Sequence, residues 1–257
     1  MTNRTLQTIF LATILFAGSR IPAAEFDQFH AQFAKVLKDH AKHSLVDYAG
    51  LKTDPSELDA YLEELASVPP GDFKKWTEAQ RLALYLNLYN AQTLRLIVDH
   101  YPLKSIRKIG FLPGAAWRIE GVRFGGDVMT LDHLENEIIR KDFNEPRIHF
   151  ALVCAAMSCP PLRGEPYVAA KLDQQLNNQA RLFLSTANKN RFEADSNTLW
   201  LSPIFKWYKE DFTGSTGSLE NYVQPFLPEA DGAKLKQAAR VEIEYTDYDW
   251  ALNEWKK

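Results

Sequence analysis

The sequence lacks the short motifs that mark several common enzyme classes. It contains no phosphate-loop glycine motif, no dinucleotide-binding fingerprint, no HExxH and no GxSxG. Nucleotide-dependent chemistry, HExxH zinc peptidases and serine esterases of the α/β-hydrolase type are therefore unsupported. Internal repeats and low-complexity linkers are absent as well.

An excess of positive charge is also absent. The formal net charge of the 257 residues is −3, so the chain does not have the basic footprint of a nucleic-acid-binding protein. Hydrophobic residues make up 46% and aromatic residues 12%, which is enough for a substantial core and argues against disorder. We expect a globular protein that does not bind nucleic acid.

Long apolar runs are confined to the N-terminus. Arg4 precedes the apolar stretch 9–17, and the small residues Ala23 and Ala24 follow. This pattern predicts a secretory signal peptide over residues 1–24, cut after Ala23 or Ala24, with an uncleaved anchor as the alternative. The run is shorter than the roughly 20 residues that cross a bilayer, and no cysteine is near enough for N-terminal lipid modification. We expect an exported protein, periplasmic or extracellular, that is not integral to the membrane after cleavage.

Residues 25–101 carry helical periodicity. Apolar residues spaced three or four apart predict amphipathic helices over 26–43 and 56–66. A longer helix is predicted from Thr77 to Tyr101, where Pro102 stops it. The part of this helix from Leu82 to Leu96 is apolar on most sides, so it should lie at the centre of the domain.

The second half of the chain mixes strand and helix signals. Its predicted strands include hairpins rather than regular βαβ units, which indicates an α+β protein. We predict a signal peptide over 1–24, a helical preface over 25–76 and one domain over 77–257, with the helices packed on a small, mostly antiparallel sheet. The predicted elements are a hairpin over 117–124, a helix over 131–140, a buried strand over 148–156, a helix over 172–184, a hairpin over 191–201 and a strand over 241–245.

Several strings resemble the domain-of-unknown-function 547 family. The resemblance runs from about Thr77 to Asn253, and its longest and most specific string is the one around Cys159. The matching strings are LNLYNA at 86–91, SIR at 105–107, LD at 131–132 with Glu135 and Arg140, RIHFALVCAAMSCPPLR at 147–163, FKWY at 205–208 with Asp211 and Phe212, and YDW at 248–250 with Leu252 and Asn253.

The resemblance implies an architecture similar to papain-like and transglutaminase-like cysteine hydrolases. A thiol, an imidazole and an orienting polar group would then share a cleft between a helix and a small sheet. The chain departs from the family pattern after Glu135, where Asn136 replaces a frequent histidine, while His133 is three residues earlier and is expected at the surface.

Cys159 and His149 are the predicted nucleophile and base. A thiol becomes nucleophilic when a nearby imidazole or helix N-terminus stabilises its thiolate. If 148–154 were extended, His149 and Cys154 would face opposite sides of the sheet, so Cys159 in the following loop is the better nucleophile. Asp249 or Glu135 would orient the imidazole.

Three alternatives remain open for these residues. Two cysteines separated by four residues in an exported protein readily form a disulfide, here Cys154–Cys159. His149 could be a buried imidazole that bonds to backbone or to a carboxylate. A zinc site built from one histidine and two cysteines is disfavoured by the spacing, so we expect no metal and no cofactor.

Polar residues around these candidates are predicted to hold the substrate. Asn87 and Asn90 lie on one face of the central helix, where they bind substrate or tie the helix to neighbouring loops. Arg163 and Arg140 suit a carboxylate clamp, although each could pair with a structural acid instead.

Two hypotheses follow for function. The first is a thiol-dependent hydrolase or acyltransferase that acts on peptide-like amides in the cell envelope. The second is a non-catalytic protein that binds a peptide or small molecule in the same cleft, with Cys154 and Cys159 joined as a disulfide.

Overall fold

The computed structural model describes residues 25–256, so the predicted signal segment lies outside the described residues. The described chain is α+β, as predicted, with small sheets and a majority of helix. No helix within residues 25–256 is long and apolar enough to span a membrane.

Helices dominate the N-terminal part. The first helix, α1, begins five residues later than predicted, because the Asp27 carboxylate accepts the Phe29 and Ala31 backbone N–H groups and His30 has a left-handed φ of 53°. The helices are α1 Ala31–His40, α2 Tyr48–Thr53, α3 Ser56–Ala66, α4 Pro70–Phe73 and α5 Glu78–His100.

Helix α5 confirms the predicted central helix. The Thr77 hydroxyl accepts the Gln80 backbone N–H, and the Gln80 side chain accepts the Thr77 N–H, which is a capping box. Fifteen residues of α5 are buried, so the helix is surrounded by protein on most sides. The preface helices α1, α2 and α3 pack into the same hydrophobic core as α5.

Helices of the second part are shorter. Residues 131–142 form one continuous helix, α6, whose middle section Leu134–Ile139 is wound as a π-helix. The others are α7 Ile148–Ala151, α8 Leu172–Leu184, α9 Ile204–Trp207, α10 Lys209–Thr213, α11 Leu219–Val223 and α12 Glu229–Gln237, and 3₁₀ turns cover Ile106–Lys108, Ala115–Arg118, Ala169–Lys171 and Gln224–Phe226.

The strands form three small sheets. Two are antiparallel pairs, β1–β2 and β3–β4, and the third has the order β5-β6-β7, with β5 antiparallel and β7 parallel to β6. The strands are β1 Ala41–Lys42, β2 Leu45–Val46, β3 Glu120–Phe124, β4 Asp127–Thr130, β5 Arg191–Glu193, β6 Thr198–Leu201 and β7 Glu242–Tyr245.

The first hairpin is displaced from its predicted position. Strand β3 continues through Gly121 with an irregularity in the pairing register between Glu120 and Val122, and the turn falls at Gly125 and Gly126. Both glycines have positive φ, 66° and 92°, a conformation that favours glycine at the two central positions of a tight hairpin turn.

The predicted strand over 148–156 is wrong. Residues Ile148–Ala151 form a single helical turn, α7, followed by irregular chain. This turn lies between two hydrophobic clusters: Ile148 belongs to the cluster around α5, and Phe150 to a second cluster formed by α8, β6 and the C-terminal helices. A segment covered on every side is apolar at every position whether it is helix or strand, so the apolar run could not distinguish them.

Candidate functional site

A cavity of about 250 Å³ lies where α5, α6 and the chain after α7 meet. It contains the histidine and both cysteines singled out in the sequence. A larger cleft of about 1030 Å³, lined by residues such as Asp47, Tyr101 and Glu254, contains none of the three. The smaller cavity is lined by Tyr89, Gly114, Trp117, Arg118, Asp132, Glu135, Asn136, His149, Leu152, Val153, Cys154, Cys159, Pro160, Ile204, Trp207, Tyr208, Tyr248 and Trp250.

Helix α5 fixes the chain that carries Cys154. The Asn90 amide nitrogen donates to the Ala151 carbonyl at 3.0 Å, and its oxygen accepts the Val153 N–H at 3.0 Å. Asn87 makes the same two-point contact with the backbone of Tyr167, at 2.8 and 2.9 Å. Both amides are buried and tie α5 to neighbouring backbone, which is one of the two roles predicted for them, and neither lines the cavity.

Cys154 is half-buried and faces the cavity. Its Sγ lies 3.2 Å from the Tyr248 hydroxyl. Burial alone would raise the pKa of this thiol, but hydrogen bonds from Cys159, from Tyr248 and from the Ala156 N–H outweigh burial and hold the pKa below its ordinary value. Ala155, which lies between Cys154 and Ala156, has a left-handed φ of 55°, which is uncommon for a residue other than glycine. The surroundings of Cys154 favour a thiolate.

Cys159, the predicted nucleophile, is in a different situation. Its side chain is 4% exposed, and its Sγ accepts the backbone N–H of Cys154 at 2.7 Å. Burial, together with the neighbouring Cys154, raises the pKa of the Cys159 thiol well above its ordinary value. Both cysteines are free thiols in the structure. Of the two, Cys154 has the surroundings that a nucleophile requires.

His149 is held by a carboxylate that the sequence reasoning did not assign to it. Its Nε2 lies 2.6 Å from Asp211 Oδ2, and its ring stacks on Tyr208 with centroids 3.9 Å apart. The guanidinium of Arg140 donates two hydrogen bonds to Asp211, at 2.7 and 2.8 Å. Within residues 25–256, His149 forms no hydrogen bond through Nδ1 and none with Cys159 or Cys154.

Asp211 is strongly stabilised as a carboxylate. Burial alone would raise its pKa, but hydrogen bonds from His149 and Arg140 outweigh this effect and hold the pKa well below its ordinary range. The Arg140 Nη1 also donates to the Asn136 oxygen at 2.8 Å. Arg140 is therefore engaged by protein acceptors and forms no clamp open to a substrate. Asn136, which replaces the frequent family histidine, lines the cavity as a partner of Arg140.

Glu135 is the second carboxylate of the site. It is 8% exposed, and its two oxygens accept the hydroxyls of Tyr89 and Tyr208, each at 2.8 Å. It makes no hydrogen bond to His149 among the described residues, so the predicted orienting role is filled by Asp211.

Two further predicted residues lie away from the cavity lining. Asp249 is exposed, and its carboxylate accepts the Ala251 N–H, so it does not orient His149. Arg163 donates to Glu165 and to the Gln179 side chain, as an arginine paired within the fold does. His133 is exposed, as expected.

The sequence reasoning missed the roles of Asp211, Tyr208 and Tyr248. Tyr208, Asp211 and Tyr248 belong to the strings that resemble the family, but the sequence alone gives none of them a role in the cavity. Asp211 is 62 residues from His149 along the chain, so only the tertiary fold shows that they meet. Within residues 25–256, no group of three or more histidine, cysteine or acidic side chains is arranged to hold a metal ion.

Comparison with known proteins gives one match. Residues 73–184 match the model of the family described as "Protein of unknown function, DUF547", and this part of the chain belongs to that family, as the sequence strings indicated. The match contains α5, Glu135, His149 and both cysteines, while Asp211 and Tyr248 lie beyond it. No curated protein and no solved structure matches the chain.

Proposed function

We propose that this DUF547 protein is a thiol-dependent hydrolase or acyltransferase that forms a thioester between Cys154 and the acyl group of a peptide-like amide. One observation carries the proposal: a thiol in thiolate-favouring surroundings and an imidazole fixed by a carboxylate line the same small cavity. Cys154 takes the place that sequence reasoning gave to Cys159.

His149 is suited to the role of base because one ring nitrogen is occupied and the other is not. Nε2 is paired with Asp211, which fixes the ring and stabilises the imidazolium that proton uptake creates. Nδ1 is then the atom that takes the thiol proton. Stacking on Tyr208 holds the plane of the ring.

The reaction proceeds in two steps, acylation of Cys154 and then deacylation. His149 takes the Cys154 proton, the thiolate attacks the carbonyl carbon, and the C–N bond breaks as the imidazolium gives its proton to the leaving amine. In the second step, His149 takes a proton from water or from an acceptor amine, which attacks the thioester and releases Cys154. The Tyr248 hydroxyl, which lies 3.2 Å from Sγ, would donate its hydrogen bond to the oxyanion of each tetrahedral intermediate in this mechanism.

The second candidate function is a non-catalytic binding cleft. The observation that favours it is the absence, within residues 25–256, of a hydrogen bond between His149 and either thiol. In that case the aromatic walls and Glu135 hold a ligand without covalent chemistry.

Incubation with an activated acyl ester, such as p-nitrophenyl acetate, distinguishes the two. We expect release of one equivalent of p-nitrophenol and a gain of one acetyl group on the peptide that carries Cys154, by intact-mass and peptide mass spectrometry. Cys154→Ser should lose the burst. The control Cys159→Ser keeps a hydrogen-bond acceptor for the Cys154 N–H and should retain it. If no acyl adduct forms on Cys154 at any pH from about 6 to 9, the hydrolase proposal is wrong and the non-catalytic binding function is favoured.

We also propose that the protein works outside the cytoplasm, because residues 1–24 have the pattern of a signal peptide. N-terminal sequencing of the protein recovered from periplasmic and culture-supernatant fractions should begin at residue 24 or 25. Recovery of the intact N-terminus from the cytoplasm would contradict this localisation.

A further inference from the structure

We infer that the cavity takes a primary ammonium group of its substrate, with Glu135 as the counter-ion. That the ammonium group belongs to a substrate rests on the proposed function, whereas its binding at Glu135 does not. Glu135 is 8% exposed and receives two neutral hydroxyl donors, Tyr89 and Tyr208. Within residues 25–256 no lysine or arginine forms an ion pair with it, since Arg140 on the same helix pairs with Asp211.

Neutral donors stabilise a buried carboxylate but carry no charge, so the charge of Glu135 is balanced only in part, through its attraction to Arg140 without direct contact. Removing a carboxylate from water is costly unless a cation accompanies it, and each Glu135 oxygen has a further lone pair beyond the one used by tyrosine. An ammonium group of a ligand supplies both the charge and the remaining hydrogen bonds.

The mouth of the cavity is suited to the alkyl part of such a ligand. Trp117, Trp207 and Tyr248 each pack around Trp250, with ring centroids 6.2, 6.0 and 4.6 Å from it, so the mouth is built of aromatic rings. Trp250 already holds one cation, with Arg107 5.3 Å from its centroid, and Arg118 also lines the cavity, so an ammonium group is favoured at Glu135 and not at the mouth. The alkyl part of an aminoalkyl ligand would pack on these rings.

The position of Glu135 links ligand binding to the thiol. The charge of Glu135 acts to raise the pKa of Cys154, against the larger hydrogen-bond effects. A bound ammonium that neutralises Glu135 removes this effect and should make Cys154 more reactive at a fixed pH.

The test uses n-butylammonium as the probe and n-butanol as its neutral counterpart. Tryptophan fluorescence measures binding, and iodoacetamide alkylation of Cys154 at pH 7 measures reactivity. We expect butylammonium to bind at least tenfold more tightly than butanol and to accelerate alkylation, and Glu135→Gln to remove both differences. The control Glu137→Gln, on the exposed side of the same helix, should keep them.

Equal binding of the two probes to the wild-type protein would overturn the inference without any variant. Binding measured on Cys154→Ser separates this result from the proposed reaction, because a protein without the nucleophile still binds the ammonium if Glu135 is its counter-ion.

A separate observation concerns the loop over residues 104–118. Phe111 is fully exposed and Leu112 is 69% exposed, at a tip bounded by Gly110 and Gly114 with φ of 77° and 76°. Four cations flank the tip, and within residues 25–256 none of them is in an ion pair. All four are exposed: Lys104, Arg107, Lys108 and Arg118.

We propose that this loop docks on a membrane surface that contains anionic lipid. No aspartate or glutamate occurs between residues 100 and 119, although the chain as a whole is acidic. An apolar tip flanked by basic residues places its rings among the acyl chains and its cations among phosphate headgroups. Gly114, Trp117 and Arg118 also line the cavity, so docking brings the mouth of the cavity to the lipid surface.

Hydrogen exchange on vesicles tests this proposal at the segment itself. We expect vesicles that contain phosphatidylglycerol to slow amide exchange over residues 109–114, and vesicles of pure phosphatidylcholine to leave the exchange rate unchanged. Phe111→Ser with Leu112→Ser should abolish the protection, and Lys104→Gln with Lys108→Gln should weaken vesicle binding by about thirtyfold. Leu182→Ser, which removes another half-exposed apolar side chain, should change nothing.

Equal protection by neutral vesicles, or unchanged protection in the Phe111/Leu112 variant, would overturn this proposal. Because the readout is local to the loop, vesicle binding through residues 1–24 does not affect it.

Discussion

Replacement of Asp211 by asparagine should both destabilise the protein and disable His149. Asp211 accepts two hydrogen bonds from Arg140 and pairs with His149 at 2.6 Å, all with one carboxylate whose side chain is 25% exposed. An asparagine keeps the shape but turns one oxygen into a donor that meets the N–H groups of these partners. Breaking a buried charged pair costs about 3–5 kcal/mol, and the residual exposure of Asp211 places the loss near about 3 kcal/mol.

Urea unfolding followed by circular dichroism measures this loss, with Asp173→Asn as the matched control. Asp173 also pairs with an arginine, Arg147, but its side chain is 81% exposed, so its replacement should cost less than about 1 kcal/mol. The acylation rate of Cys154 should fall by about 100-fold or more in the Asp211 variant and stay unchanged in the control. Similar small losses in both variants would refute the role given to Asp211.

The sign of the pH dependence adds a second check. The pKa of Asp211 is lowered in the folded protein, because hydrogen bonds from His149 and Arg140 outweigh burial, which would raise it. Its contribution is therefore fully present above the unfolded pKa of about 4 and is lost as the pH falls toward the folded pKa. The stability difference between wild type and Asp211→Asn should shrink as the pH falls below about 4.

The remaining predictions concern the scaffold. Burial lowers the pKa of His30 to about 4, against a smaller opposing effect of Asp27. The unfolding free energy should therefore fall by on the order of 3 kcal/mol as the pH drops from about 6.5 to 4. Urea titrations at several pH values measure this dependence, and His30→Gln should flatten it. Asn90→Ala leaves two buried backbone groups without partners and should cost about 3 kcal/mol by the same unfolding assay. The control Asn177→Ala, at a partly exposed amide that bonds only to the exposed Asp173 side chain, should cost less than about 0.5 kcal/mol. Phe150→Ala opens a cavity between the two hydrophobic clusters and should lower the stability by about 3–5 kcal/mol, and a loss below about 1 kcal/mol would contradict its place in the core.

The sequence predicted the elements whose conformation is determined by residues near to one another along the chain. Helix α5 follows from its long apolar stretch and from Pro102 after its end, and the hairpin of β5 and β6 follows from the alternating runs on either side of its turn. The segment from Ile148 failed because packing between two clusters makes every position apolar, which removes the periodicity that separates helix from strand.

The sequence predicted several residues of the candidate site but not the contacts between them. His149, Cys154, Cys159 and Glu135 were recognised from their chemistry, and all four line one cavity. The choice of Cys159 over Cys154 rested on an extended chain that the structure does not have. The pairing of His149 with Asp211 joins α7 to α10, a long-range contact that leaves no trace in local sequence patterns.

The most direct test of the central claim is alkylation of the native protein by iodoacetamide at pH 6.5, with the modified cysteine identified by peptide mass spectrometry. We expect Cys154 to react faster than an unperturbed thiol, which has a pKa of about 8.5, and Cys159 to react only after denaturation. His149→Ala should slow the reaction of Cys154. Preferential reaction of Cys159, or resistance of both cysteines until a reductant is added, would contradict Cys154 as the nucleophile of this cavity.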